Sequence, residues 1–163
     1  ESLYVDLVAT SNKDLSIEAQ KKELERLFHN YVDISIIARA VLGKRWRDAT
    51  SDQRNKFIDA FKGYVSSKYG KQFSEFKGTT FEIVKSRDTL TKAGVLISTE
   101  VFVPGNPPLK VVWQVSDGSG SLKLIDLRVE GISMLSTERQ EFKSKLKKFR
   151  GSLNDLISEI SSE

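Results

Sequence analysis

The stretch GVLISTEVFVPGNPPLKVVWQVS, residues 94–116, reads as two strands and the turn that joins them. Val95, Ile97, Thr99, Val101 and Val103 alternate with Leu96, Ser98, Glu100 and Phe102, and Leu109, Val111, Trp113 and Val115 alternate mainly with polar partners. Side chains of an extended chain point alternately to opposite faces, so the pattern gathers an apolar set on one side of a hairpin. Pro104-Gly105-Asn106-Pro107-Pro108 supplies the turn chemistry between the two runs. Working outward, residues 79–85 place Phe81 and Ile83 on one side of a preceding strand. Asp117-Gly118-Ser119-Gly120 leads into a fourth strand, Leu122 to Glu130. That strand changes phase, with Leu122 and Leu124 apolar first and then Ile125, Leu127 and Val129, which predicts a bulge near Leu124 and Ile125. The expectation is a curved four-stranded antiparallel sheet with one half-buried apolar face.

Helical spacing flanks the sheet on both sides. Ile17, Leu24, Leu27, Phe28 and Tyr31 mark one face of a helix that starts after Ser16. Ile34, Ile37, Ala38, Val41 and Leu42 mark a second helix, stopped by Gly43. A third opens at Thr50-Ser51-Asp52 and carries Phe57, Phe61, Tyr64, Val65, Tyr69, Phe73 and Phe76, a stripe of aromatic rings suited to a core or to the wall of a cavity. After Gly131, helical spacing resumes through Ile132, Leu135, Phe142, Leu146 and Phe149; Gly151 interrupts it before Leu153, Leu156, Ile157 and Ile160. Strands between helices, without a repeat, predict an α+β fold around one core. At 163 residues the chain fits a single domain, with residues 1–13 poorly ordered or peripheral.

Composition narrows the function. Hydrophobic residues make up 39% and charged residues 29%, and no apolar run reaches the roughly 20 residues that cross a bilayer. Glu1 to Ser16 lacks the basic cluster and apolar core of a secretory signal. With no cysteine there are no disulfides, thiolate metal sites or cysteine nucleophiles. The net charge of +4 fits a mixed-charge surface, with attraction to anionic membranes or phosphate head groups as the alternative.

Catalytic constellations are not found. The single histidine, His29, has neither a cysteine nor a second histidine to work with, and Gly43-Lys44 and Gly118-Ser119-Gly120 lack the spacing and context of phosphate loops. Asp126 and Glu130 fall, by parity, on the polar side of the last strand, where water solvates them. Arg45, Trp46 and Arg47 are one short cluster rather than the basic stripe of a nucleic-acid groove, and no nucleic-acid partner is expected. There remains a bent sheet with an apolar face under aromatic-lined helices, whose interior is either filled by side chains or partly open to a large apolar ligand.

The run Ala38-Arg39-Ala40-Val41-Leu42-Gly43-Lys44-Arg45-Trp46-Arg47-Asp48-Ala49-Thr50, then Gln53-Arg54, Phe57, Phe61 and Tyr69, resembles the periplasmic lipid-carrier family of the Mla (maintenance of lipid asymmetry) system, also called the toluene-tolerance family. The resemblance continues through Asp126-Leu127-Arg128-Val129-Glu130-Gly131-Ile132-Ser133-Met134, covers about residues 14–160, and is weak before Tyr31. It implies a cone related to cystatin-like or nuclear-transport-factor-like folds, with an internal apolar cavity for phospholipid tails. It also implies a non-enzymatic periplasmic carrier that maintains outer-membrane lipid asymmetry, with phospholipid as ligand and no cofactor or metal. The implied partners are an inner-membrane ABC transporter complex with a lipid-binding ring and an outer-membrane lipoprotein complex. On this reading Ile37, Val41, Phe57, Phe61 and Val65 face Ile97, Val101, Val111, Trp113, Val115 and Leu127 across the cavity, Met134 and Phe142 help close it, and Arg39, Arg45 or Arg47 touch the head group. Two alternatives stay open: an enzyme on the same cone, needing Glu100 or Asp126 deep inside, and an interaction domain with a filled core.

Overall fold

The computed structural model describes residues 2–70, 77–84 and 89–162. Helices α1 (Ser2–Ser11), α2 (Ile17–Tyr31), α3 (Ile34–Leu42), α4 (Lys44–Asp48) and α5 (Ser51–Gly70) precede the strands. Strands β1 (Thr80–Ile83), β2 (Thr89–Thr91), β3 (Gly94–Phe102), β4 (Leu109–Ser116), β5 (Lys123–Val129) and β6 (Ile132–Ser133) follow, and α6 (Met134–Lys148) and α7 (Leu153–Ser161) complete the chain. The α+β architecture matches expectation. The sheet is antiparallel in the order β1-β3-β4-β5-β6, with β2 also paired to β3. It therefore has six strands rather than four; β2 and β6 are too short for alternation to reveal them.

Local chemistry sets the boundaries. Ser16 caps α2 by accepting from the Ala19 amide at 3.3 Å, and Asp33 caps α3 by accepting from Ile36 at 3.0 Å. At the start of α5, Thr50 Oγ1 accepts from the Gln53 amide while Gln53 Oε1 accepts from the Thr50 amide, a reciprocal capping box. Gly94 sits at φ +120°, where a Cβ would stand 2.0 Å from the Val115 carbonyl oxygen, so β3 can begin beside β4 only with glycine there. The predicted bulge is present: Gln114 pairs with Asp126 and Val115 with Leu124, which leaves Ile125 as the extra residue.

The helices form their own core. Phe57, Phe61 and Phe142 are fully buried, and their ring centroids lie 5.3–5.7 Å apart in stacked and edge-on pairs. Ala38, Val41, Leu42, Ala49, Tyr64, Val65, Leu146, Leu153, Leu156 and Ile160 complete this cluster, which contains no strand residue.

Residues 2–11 form a helix: Thr10 and Ser11 are buried, the Tyr31 hydroxyl donates to Asp6 at 2.8 Å, and the Tyr4 ring lies against Phe81. Two expectations change. Ile17, at the first position of α2, is 72% exposed, and Ile132 leaves the helix to pair with Val129 in β6. Phe73, Phe76 and Lys85 lie outside the described residues.

Candidate ligand-binding face

Strand register assigns every sheet side chain to a face, since residues opposite each other across an antiparallel pair point the same way. Val101 opposes Phe81 and Leu109; Thr99 opposes Ile83 and Val111, which in turn opposes Val129. Trp113 lies between Ile97 and Leu127, and Val95 opposes Leu90 and Val115, beside Leu124. These four rows are apolar apart from Thr99. The opposite face carries Glu82, Ser98, Glu100, Lys110, Gln114 and Arg128. Rows two residues apart make the apolar face about 20 Å long, against roughly 15 Å for the hydrocarbon of one bilayer leaflet.

Burial falls off along this face. Thr99, Val101 and Val111 are buried. Ile97, Trp113 and Leu127 in the next row, and Val95, Val115 and Leu124 beyond, are only partly covered, and Leu90 at the end is 82% exposed. A sheet face sealed by helices would bury all four rows; here half of the face keeps accessible apolar surface. The polar atoms on it are already paired, with Trp113 Nε1 donating to Thr99 Oγ1 at 2.9 Å and Thr99 Oγ1 donating to the Val111 carbonyl at 2.9 Å. Among the described residues the face thus offers hydrocarbon contact and no free side-chain donor.

The structure brings together Ile97, Val101, Val111, Trp113, Val115 and Leu127. It places Val41, Phe57, Phe61, Val65 and Phe142 in the helical core, with Ile37 packed on that core, rather than opposite the sheet. Their periodicity identified a buried helical stripe correctly, but a neighbouring helix satisfies such a stripe as well as a sheet does. Met134 is half-buried at the first turn of α6. Arg39, Arg45 and Arg47 are exposed at the α3–α4 corner, where Arg54 donates to the Trp46 and Arg47 carbonyls and stacks over the Trp46 ring. Phe81, Ile83, Val95, Leu124 and Val129 extend the face beyond the expected residues; their alternation was already the signal.

Asp126 corrects another expectation. It is 5% exposed, not solvated, and accepts hydrogen bonds from the Leu127 and Leu135 amides at 2.9 and 3.0 Å and from Ser133 Oγ at 2.8 Å. Its carboxylate anchors the start of α6 to β5. Glu100 lies on the polar face.

A partly buried polar network between α5 and α6 was not anticipated from sequence. Lys68 donates to Glu138 and Glu141 at 2.7 Å each, Tyr69 donates to Glu138 at 2.5 Å, and Tyr64 donates to Glu141 at 2.6 Å. Burial, then hydrogen bonds to the carboxylates, raise both phenols well above their usual range. Burial works against the Lys68 charge, but its bonds to Glu138, Glu141 and Tyr64 outweigh it and raise its pKa. Burial likewise opposes the Glu141 charge, and Lys68 and Tyr64 overcome it to lower that carboxyl. At neutral pH Lys68, Tyr64, Tyr69 and Glu141 are held in their bonding forms, which suits a strut between helices. Among the described residues no group of histidines and carboxylates has the arrangement of a metal site. A surface groove between α2, α5 and α7, lined by Lys21, Lys56, Asp59, Gly63 and Ile157 among others, has no strand residue.

Fold and face together define an α+β protein with a helical bundle beside an antiparallel sheet whose apolar face is incompletely covered. Residues 4–162 match the model of the MlaC protein family, and the chain belongs to that family. A curated relative, the intermembrane phospholipid transport system binding protein MlaC of Haemophilus influenzae, is 22% identical over 142 residues, which cover 83% of this chain and 65% of the relative. The chain thus spans just under two thirds of that relative's length. A solved phospholipid-binding protein of Ralstonia solanacearum, determined in complex with a phospholipid, superposes with a TM-score of 0.84 over 99% of this chain and 92% of its own, at 18% identity. This last likeness establishes the fold. No described helix is long and apolar enough to cross a membrane.

Proposed function

We propose that this protein is a non-enzymatic phospholipid carrier that holds acyl chains against the partly covered apolar face of its sheet. The observation that carries the reading is the accessible apolar surface of Ile97, Trp113, Val115 and Leu127, on a face whose polar side-chain atoms, among the described residues, are already bonded. Membership of the MlaC family and the phospholipid named for both relatives support the ligand class. At about 0.8 kcal/mol per buried methylene, two tails of about 30 methylenes gain on the order of 20 kcal/mol over exposure to water. A bilayer shelters the same tails equally well, so exchange between membrane and carrier is nearly balanced, as shuttling requires. The head group stays hydrated at the rim.

The corresponding place of work is the periplasm, between an inner-membrane ABC transporter complex with a lipid-binding ring and an outer-membrane lipoprotein complex, in the maintenance of outer-membrane lipid asymmetry. Native mass spectrometry with lipid extraction tests the cargo. Phospholipid should accompany the purified protein, and Ile97→Asp with Leu127→Asp should remove it while circular dichroism stays native. Protein without lipid, and with no uptake from vesicles, would overturn the reading.

A further inference from the structure

The charges of α6 are segregated. Glu138 and Glu141 turn to Lys68, and Lys145 and Lys148 lie within 3.9 and 2.7 Å of Glu159. The outer side of the helix carries Arg139, Lys143 and Lys147, four residues apart and all exposed, about 6 Å from one to the next along the axis. Like charges at this spacing repel one another within the helix. Two contacts extend the patch to the neighbouring corner. The Arg139 guanidinium lies over Gly43, 3.4 Å from where a Cβ would be, next to exposed Lys44; the Arg45 guanidinium sits against Gly151, beside exposed Arg150. None of these six cations has a carboxylate partner among the described residues, although the whole chain carries a net charge of only +4.

We propose that this patch, formed by the outer side of α6 and the α3–α4 corner, is a docking surface for the anionic head groups of a bilayer. Charge complementarity selects the partner. Protein interfaces have centres rich in aromatic side chains and poor in lysine, whereas a surface this rich in lysine and arginine, with Asp48 the exposed acid of its α4 corner, suits a sheet of phosphates. The association is electrostatic, so salt screens it, with a Debye length of about 8 Å at physiological ionic strength. The proposal stands apart from the cargo, because the six residues lie outside the apolar sheet face.

The test is co-sedimentation with vesicles of phosphatidylcholine alone and of phosphatidylcholine mixed with phosphatidylglycerol. The protein should bind the anionic vesicles, release them in high salt and ignore the neutral ones. Neutralising the stripe with Arg139→Gln, Lys143→Gln and Lys147→Gln should weaken anionic binding about a hundredfold. Neutralising three exposed lysines elsewhere, with Lys13→Gln, Lys22→Gln and Lys92→Gln, leaves the same net charge and should have far less effect. Equal losses in the two triple variants would overturn the proposal by reducing it to overall charge. So would equal binding to both vesicle types, or binding to immobilised polyglutamate without binding to vesicles, which would point to an acidic protein surface. Both variants should keep their lipid in native mass spectrometry, so that loss of docking and loss of cargo are told apart.

Discussion

The helical bundle and the sheet handle apolar surface in opposite ways. In the bundle, Phe57, Phe61 and Phe142 interlock at ring distances of 5.3–5.7 Å and exclude solvent completely. On the sheet, Ile97, Trp113, Val115 and Leu127 are no less apolar yet remain partly uncovered. The bundle is closed to solvent and the sheet face is not, so on the proposed function stability and binding belong to different residues. This division also suits a carrier: emptying the face leaves the aromatic core untouched.

The contrast can be broken most forcefully inside the bundle. Phe61→Ala removes a fully buried ring and should cost about 4 kcal/mol, read as a shift in the urea midpoint, without selectively abolishing lipid uptake. A cost below about 1 kcal/mol would mean that the bundle is not close-packed. Next in size, Asp126→Ala should cost about 3 kcal/mol, because it frees two amides and a hydroxyl at the junction of β5 with α6. Gly94→Ala should cost about 2 kcal/mol or more through its positive φ and the encounter with the Val115 carbonyl. Ile97→Ala sharpens the contrast from the other side. On the half-covered face it should cost about 1 kcal/mol in stability yet visibly reduce lipid uptake.

The smallest effect is the dependence on pH. Glu141 has a lowered folded pKa, so its contribution is present above its unfolded value, near 4.3, and is lost as pH falls through the lower folded one. Lys68, Tyr64 and Tyr69 have raised folded values, so their contribution is complete below about 10 and fades as pH rises further. Urea midpoints should hold level near neutrality and fall at both extremes, with the alkaline fall reduced in Lys68→Met.

Much of the sheet was legible because alternation with period two is a local property. Residues 94–116 alone identify the apolar face, and the phase change at Leu124 and Ile125 identifies the bulge. The helices were legible as helices but not as neighbours. A stripe such as Phe57, Phe61 and Val65 records that one side is buried, not whether a sheet or another helix buries it. Asp126 shows the same limit: parity assigned it to the polar face correctly, but only the fold brings the first turn of α6 onto it. Glu138 sits in a charged run that looks solvated until α5 brings Lys68 and Tyr69 against it.

Trp113 allows the central claim to be tested directly. It stands on the apolar face, while the other tryptophan, Trp46, lies at the helical corner under Arg54. In a Trp46→Phe background, loading the protein with phospholipid whose acyl chains carry bromine should strongly quench the Trp113 emission. Complete loading with no quenching would place the tails elsewhere and contradict the account.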